Sequence, residues 1–214
     1  MNKISKRLLS IADFISKEDE LVDVGCDHGL LSIYLIKNKL CKRVIASDIN
    51  EKALSNAIKN IERENLNIQT ILSDGLNNID LTNINTLIIS GMGTQTILHI
   101  LEDNTKLKNI NKLIIQSNNN HEILRTNLNK KGYYLKEEST LYDKNEWYTT
   151  MYFIKSNKKN TKQELVYGYL NNHNYNSYLL NQYKTIYDKI PDTNKDKKLM
   201  YKKYIELKEY IEGE

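Results

Sequence analysis

Residues 21–29, Leu-Val-Asp-Val-Gly-Cys-Asp-His-Gly, constrain this chain more than any other stretch. A short apolar run containing an acid turns on Gly25 and Gly29 into the amphipathic pattern Leu30, Leu31, Ile33, Tyr34, Leu35, Ile36. Strand, glycine turn and helix in that order open a nucleotide-binding βαβ unit. Dinucleotide sites favour G-x-G-x-x-G, because backbone N–H groups must close on a pyrophosphate. Here Asp27 stands where the middle glycine would be, and its carboxylate would repel that group. S-adenosylmethionine has no phosphate and carries a sulfonium and an ammonium, so Asp23 and Asp27 suit it. The expected ligand is this methyl donor.

Further strand-like runs follow at Arg43–Ser47, Ile68–Leu72, Thr86–Ser90 and Lys112–Gln116, with helical patterns at 30–38, 51–65, 94–103 and 120–131. Such alternation with short turns predicts an α/β fold, a parallel sheet covered on both faces. Two β-prone runs, Tyr133–Leu141 and Trp147–Ile154, flank a hairpin turn at residues 142–146. A parallel sheet closed by an antiparallel strand is what the class I methyltransferase fold adds to the Rossmann plan. Ahead of the sheet, Ile4, Leu8, Leu9, Ile11, Ala12 and Ile15 have helical spacing, which puts Lys3, Lys6 and Arg7 on a polar side.

From Lys158 the strands stop. Repeats at Leu179, Leu180, Tyr183, Ile186, Tyr187, Ile190 and at Leu199, Met200, Tyr204, Ile205, Leu207 predict an antiparallel, coiled-coil-like helical pair turned at Pro191. The expected domains are 1–157, catalytic, and 158–214, helical. Residues 156–214 hold 11 Lys against 8 Asp and Glu, while the whole chain carries only +4. Basic character is therefore local, which leaves a nucleic-acid face possible. Two cysteines without an export signal suggest reduced thiols, and no apolar run reaches the ~20 residues of a membrane helix. A soluble, cytoplasmic protein is expected, with no membrane contact and no obligate protein partner implied.

Asp48 ends the second strand, 23 residues beyond Gly25, near the spacing of a ribose-binding acid. Its other possible role is to cap the helix that follows. Ser73-Asp74-Gly75 after the third strand is either a plain turn or the contact with the adenine amine. Ser90-Gly91-Met92-Gly93 ends the fourth strand, where two glycines allow close backbone approach and Met92 can line the methyl channel. Amino-group methyltransferases often carry Asn/Asp-Pro-Pro-aromatic here; the only proline is Pro191, so a ring nitrogen, oxygen or carbon is the favoured acceptor. Consecutive Cys26, Asp27 and His28 cannot all face one ion, so no metal is expected.

Taken together, D-V-G-C-D-H-G, A-S-D-I-N, S-D-G, S-G-M-G and Gln116-Ser117-Asn118 resemble the bacterial TrmK family, tRNA methyltransferases acting on N1 of adenosine at tRNA position 22. The resemblance covers essentially the whole chain. It implies that Asp23, Gly25 and Asp27 frame the methionine part of the donor, Asp48 binds ribose, Asp74 meets adenine, and Gly91 with Met92 lines the reacting side. His28, Gly29, Ile49 and Gly75 complete the cofactor-binding set. The family commonly reads G-M-G-G where this chain has Thr94, and Q-P-N where it has Ser117. Thr94 is placed to cap the next helix.

The mechanism so implied is in-line attack of adenine N1, a neutral lone pair, on the donor methyl, with catalysis mostly by positioning. Met92, Asn118 and Trp147 are the candidate catalytic residues; the Trp147-Tyr148 pair could steady an extruded base, or Trp147 could belong to the core. Tail lysines Lys195, Lys197, Lys198, Lys202 and Lys203 could hold tRNA phosphates or form a solvated face. Rival functions are a methyltransferase for another RNA site or a small molecule, a nicotinamide oxidoreductase, and a non-catalytic RNA-binding relative.

Overall fold

The computed structural model describes residues 4–213; Lys3, assigned above to the polar side of the first helix, lies outside them. The chain divides into two compact units, one ending at Asn160 and one starting at Thr161. The first contains α1 (Lys6–Ala12), β1 (Glu20–Val24), α2 (Leu30–Lys37), β2 (Arg43–Asp48), α3 (Glu51–Arg63) and β3 (Gln69–Leu72). It continues with β4 (Thr86–Met92), α4 (Thr94–Ile100), β5 (Lys112–Ser117), α5 (His121–Lys130), β6 (Tyr133–Asp143) and β7 (Glu146–Lys155).

The seven strands lie in the order β3-β2-β1-β4-β5-β7-β6. β1 to β5 pair in parallel, and β7 alone runs antiparallel, inserted between β5 and β6. The expected α/β sheet with an antiparallel last strand is therefore present. Leu21, Val22, Leu87, Ile88, Ile89, Leu113, Ile114 and Ile115 are buried, as continuous apolar strands covered on both faces must be. The chain winds outward from β1 through β2 to β3, then crosses back to β4. Strand order reverses between β1 and β4, and open α/β sheets bind ligands in the crevice at that point.

Local chemistry explains the elements. In α3, Leu54, Ala57 and Ile61 face inward at helical spacing, and the Asn50 side chain accepts from Ala53 N at the helix start. The hairpin turn is tighter than the five residues expected. Pairing continues to Asp143 opposite Glu146, leaving only Lys144 and Asn145, at φ +48° and +66°. Two left-handed residues give a turn whose twist matches that of the strands. Strand β4 also outruns its expected end at Ser90, because a bulge at Gly91 carries it on to Met92.

The second unit contains α6 (Lys162–Tyr167), α7 (His173–Lys189) and α8 (Asp196–Glu212). Helix α6 has no counterpart among the expected elements; it starts at a capping box in which Thr161 and Glu164 satisfy each other's backbone N–H. Tyr167, Leu170 and Leu207 form its buried centre, with Leu179, Leu180, Tyr183 and Tyr210 packed around them. Tyr187 lies against Tyr201 at 5.2 Å near the turn of the pair, while Ile186 and Leu199 stay exposed. The seam thus mixes tyrosines with aliphatic side chains. Among the described residues no helix is long and apolar enough to cross a membrane.

Candidate functional site

The turn between β1 and α2 alternates left-handed residues: Gly25 at φ +75°, Asp27 at +51° and Gly29 at +68°. Gly25 N and Cys26 N both donate to Ser47 O, at 2.8 and 2.9 Å, which lays the turn across the end of β2. A Cβ on Gly25 would collide with Met92 Cε, and one on Gly29 would stand 3.1 Å from Ala57 Cβ. The first glycine therefore admits Met92 to the floor of the site, and the second lets α2 approach α3.

Asp48 is buried at the end of β2. Its Oδ2 accepts from Asp27 N and its Oδ1 from Asn50 N, both at 2.9 Å. Asn50 caps α3, so the capping alternative for Asp48 falls away. Each carboxylate oxygen keeps a second acceptor position. Asp23 is buried in β1 and its Oδ2 accepts from Ser32 Oγ at 2.8 Å. Burial pushes its carboxyl up to about 6; the Ser32 bond and the Arg7 charge oppose this, and the Asp48 charge adds to it. Burial, reinforced by Asp23 and Asp48, also pushes the Cys26 thiol well above its usual range. Cys26 points inward, whereas the side chains of Asp27 and His28 are exposed and lie 3.6 Å from each other.

These groups line one cleft of about 450 Å³ at the carboxyl ends of β1, β2 and β4. It gathers every expected cofactor residue: Asp23, Gly25, Asp27, His28, Asp48, Ile49, Asp74, Gly75, Gly91 and Met92 border it, and Gly29 closes the turn behind them. Asp74 is exposed and its carboxylate has no partner among the described residues, while Ser73 Oγ orders the turn by donating to Gly75 O.

The expected catalytic trio separates. Met92 lines the cleft. Asn118 stands at its edge, donating its N to Met92 O at 2.9 Å and its Nδ2 to Gly91 O at 3.0 Å. Trp147 does not line the cleft; its ring packs on Tyr142 at 5.3 Å, at the hairpin tip. Adjacent strand residues face opposite ways, so Tyr148 turns toward α1, where the Arg7 guanidinium lies 5.9 Å from its ring centre. Arg7 itself is a correction: expected on a polar outer face, it is half-buried and borders the cleft. His99 and Ile100 of α4 also line it, without any local sequence signal.

A general methyltransferase-domain family matches residues 4–151. The tRNA (adenine(22)-N(1))-methyltransferase of Bacillus subtilis is 32% identical over 152 residues, 70% of this chain and 64% of that enzyme, less than two thirds of its length. TrmK of M. capricolum, solved with S-adenosyl-homocysteine, is 32% identical with a TM-score of 0.86 over 98% of both chains. The chain belongs to the TrmK methyltransferase family. Streptococcus pneumoniae Sp1610, solved with S-adenosyl-L-methionine, is 29% identical, with a TM-score of 0.84 over 97% of this chain and 99% of that one.

The two departures from the TrmK pattern touch each other. Thr94 is the first residue of α4, after Gly93 at the cap, so it does not cap the helix. Its Oγ1 lies 2.8 Å from Ser117 Oγ and donates to Asn119 O at 2.6 Å, while Asn119 Oδ1 accepts from Thr94 N. Both hydroxyls are buried and tie the β4–α4 turn to the β5–α5 turn. In a double-mutant cycle of Thr94→Val and Ser117→Ala, denaturant unfolding should give a coupling of about 1 kcal/mol. Additive losses would mean that the hydroxyls act independently.

Proposed function

We propose that this chain uses S-adenosylmethionine to methylate N1 of adenosine 22 in tRNA. The observation that carries the proposal is the likeness to TrmK over 98% of both chains, which extends through the helical unit. The cleft supports it chemically. Asp48 offers two anchored acceptor oxygens for a ribose diol, Asp74 a free carboxylate for the adenine amine, and Ile49 an exposed apolar face for a purine. Asp27 blocks a pyrophosphate at the turn, which disfavours a nicotinamide cofactor. The donor, when bound, supplies an electrophilic methyl that a neutral ring nitrogen accepts without a base. This chain's residues then have to position and shield: Asn118 holds Gly91 and Met92 in place, and Tyr148 offers a ring 5.9 Å from the guanidinium of Arg7, which borders the cleft.

In the second unit the tail lysines divide. Lys197 donates to Asp192 at 2.6 Å and covers the Tyr187 ring, and Lys202 faces Glu206 at 3.7 Å. Lys195 and Lys198 are exposed, with no partner among the described residues, and are the better candidates for phosphate contacts. A tRNA substrate implies work in the cytoplasm. The direct test incubates the protein with bulk tRNA and labelled donor, then analyses nucleosides. N1-methyladenosine is expected, lost when position 22 is changed to guanosine. Label in a different nucleoside would overturn the assignment.

The raised Asp23 carboxyl predicts a pH dependence. A cationic donor group favours ionised Asp23, so donor affinity should hold between about pH 8 and 7 and fall up to roughly tenfold per unit below about 6. Calorimetry with S-adenosylhomocysteine reads this directly, and Asp23→Asn should flatten the profile. An unchanged slope in that variant would assign the pH dependence elsewhere.

A further inference from the structure

Strand β7 does not stop where the parallel sheet stops. Ile115 lies opposite Met151, so Trp147, four residues earlier on β7, stands two residues beyond Ser117, the end of β5, or about 7 Å past it. The β6–β7 hairpin therefore overhangs the carboxyl edge of the sheet, the edge that holds the cleft. Near its tip Tyr142 pairs across the strands with Trp147, their ring centres 5.3 Å apart. The tight turn at Lys144 and Asn145 fixes both strands just beyond the pair. Tyr142 is 55% exposed and Trp147 half-buried, so the two rings are held in place without being covered.

The surroundings of this pair suit a nucleobase. Tyr142 and Trp147 lie on the face that carries α5, because Glu138, on the same side of β6 as Tyr142, meets Arg125 of α5 at 2.8 Å. At that edge the turn from β5 into α5 exposes Asn118, Asn119 and Asn120, amides of the kind that hydrogen-bond to base edges. On its other face the hairpin carries Asp143 and Glu146, opposite each other on the last rung of the ladder. Two carboxylates there repel a phosphate, which disfavours RNA backbone at the tip and leaves an uncharged ring acceptable. The same acids and amides disfavour a lipid or an apolar protein surface.

We propose that the Tyr142–Trp147 tip stacks on a tRNA base that neighbours the target adenosine. The proposal rests on the tRNA reading above. Trp147 lies outside the cleft, so the base it meets is not the one being methylated. Drawing an adenosine out of its stack uncovers the faces of its neighbours, and an aromatic side chain replaces the lost contact. A hairpin that overhangs the cleft edge is placed to reach such a neighbour. Every base has a π-face, so this contact steadies the opened RNA without reading its sequence.

Trp147 is the only tryptophan of the chain, so its fluorescence, excited beyond the tyrosine band, reports this site alone. Titration of the wild-type protein with tRNA, with binding followed in parallel by filter retention, should quench that emission in step with binding. Trp147→Ala should weaken tRNA affinity by roughly fivefold to a hundredfold. The slope of log affinity against log salt should stay as in wild type, because no phosphate contact is lost. Trp147→Phe should recover most of the affinity, since it keeps a stacking ring. Unchanged affinity for S-adenosylhomocysteine, read by calorimetry, reports that each variant is folded. Bound tRNA that leaves the wild-type emission unaltered would overturn the proposal, and so would wild-type tRNA affinity or a flattened salt slope in Trp147→Ala. Wild-type protein that binds no tRNA would remove the tRNA reading itself.

Discussion

Asp48→Ala is expected to weaken S-adenosylmethionine binding by about two orders of magnitude while tRNA affinity stays nearly unchanged. Hydrogen bonds to a charged acceptor contribute roughly 1.5–3 kcal/mol each, and a ribose diol would use two of them. The loss has a second source that the sequence did not announce. Asp48 also accepts from Asp27 N and Asn50 N, so its removal releases the glycine turn from the end of β2. Asp48→Asn separates the two effects: an amide keeps one acceptor oxygen but must present N–H to one of those donors, and should fall between wild type and alanine. Calorimetry on folded variants decides the matter. Unchanged affinity in Asp48→Ala would take this residue out of the donor site.

Removal of the second unit should give the other large effect. A chain ending at Asn160 should fold, bind the donor with near wild-type affinity and methylate tRNA poorly. Every cleft residue lies before that point, and the core beneath the cleft does too. Asn160 has to be kept, because its buried side chain accepts from Leu135 N at 2.8 Å and donates to Leu135 O at 3.0 Å, fastening the chain to β6. If Lys195 and Lys198 hold phosphates, the slope of log affinity against log salt should flatten by roughly 0.7–0.9 for each phosphate no longer neutralised. A truncated protein with wild-type tRNA affinity and the same slope would sink the idea. RNA would then be read by the first unit alone.

The glycine turn, the alternation of strands and helices, and the acids at strand ends were legible in the sequence. Each is a local event. Left-handed backbone at Gly25 and Gly29, apolar runs in buried parallel strands, and helical spacing in α3 all depend on neighbours within a few residues. That the strand-end residues share one cleft could be read for the same reason, since a doubly wound sheet brings consecutive strand ends to one crevice whatever the rest of the chain does.

Other features depend on partners far away in the chain, and only the tertiary structure decided them. Arg7 looks like any residue on the polar side of a short helix until Gln116, 109 positions on, supplies its acceptor. Thr94 and Ser117 differ from the family pattern separately, yet they form one hydrogen bond. Trp147 and Tyr148 are equally aromatic, and only the register of β7 against β6 turns the second toward Arg7 and sets the first against Tyr142. Periodicity shows which residues face inward; which of them meet is settled by packing between distant segments, to which no local pattern responds.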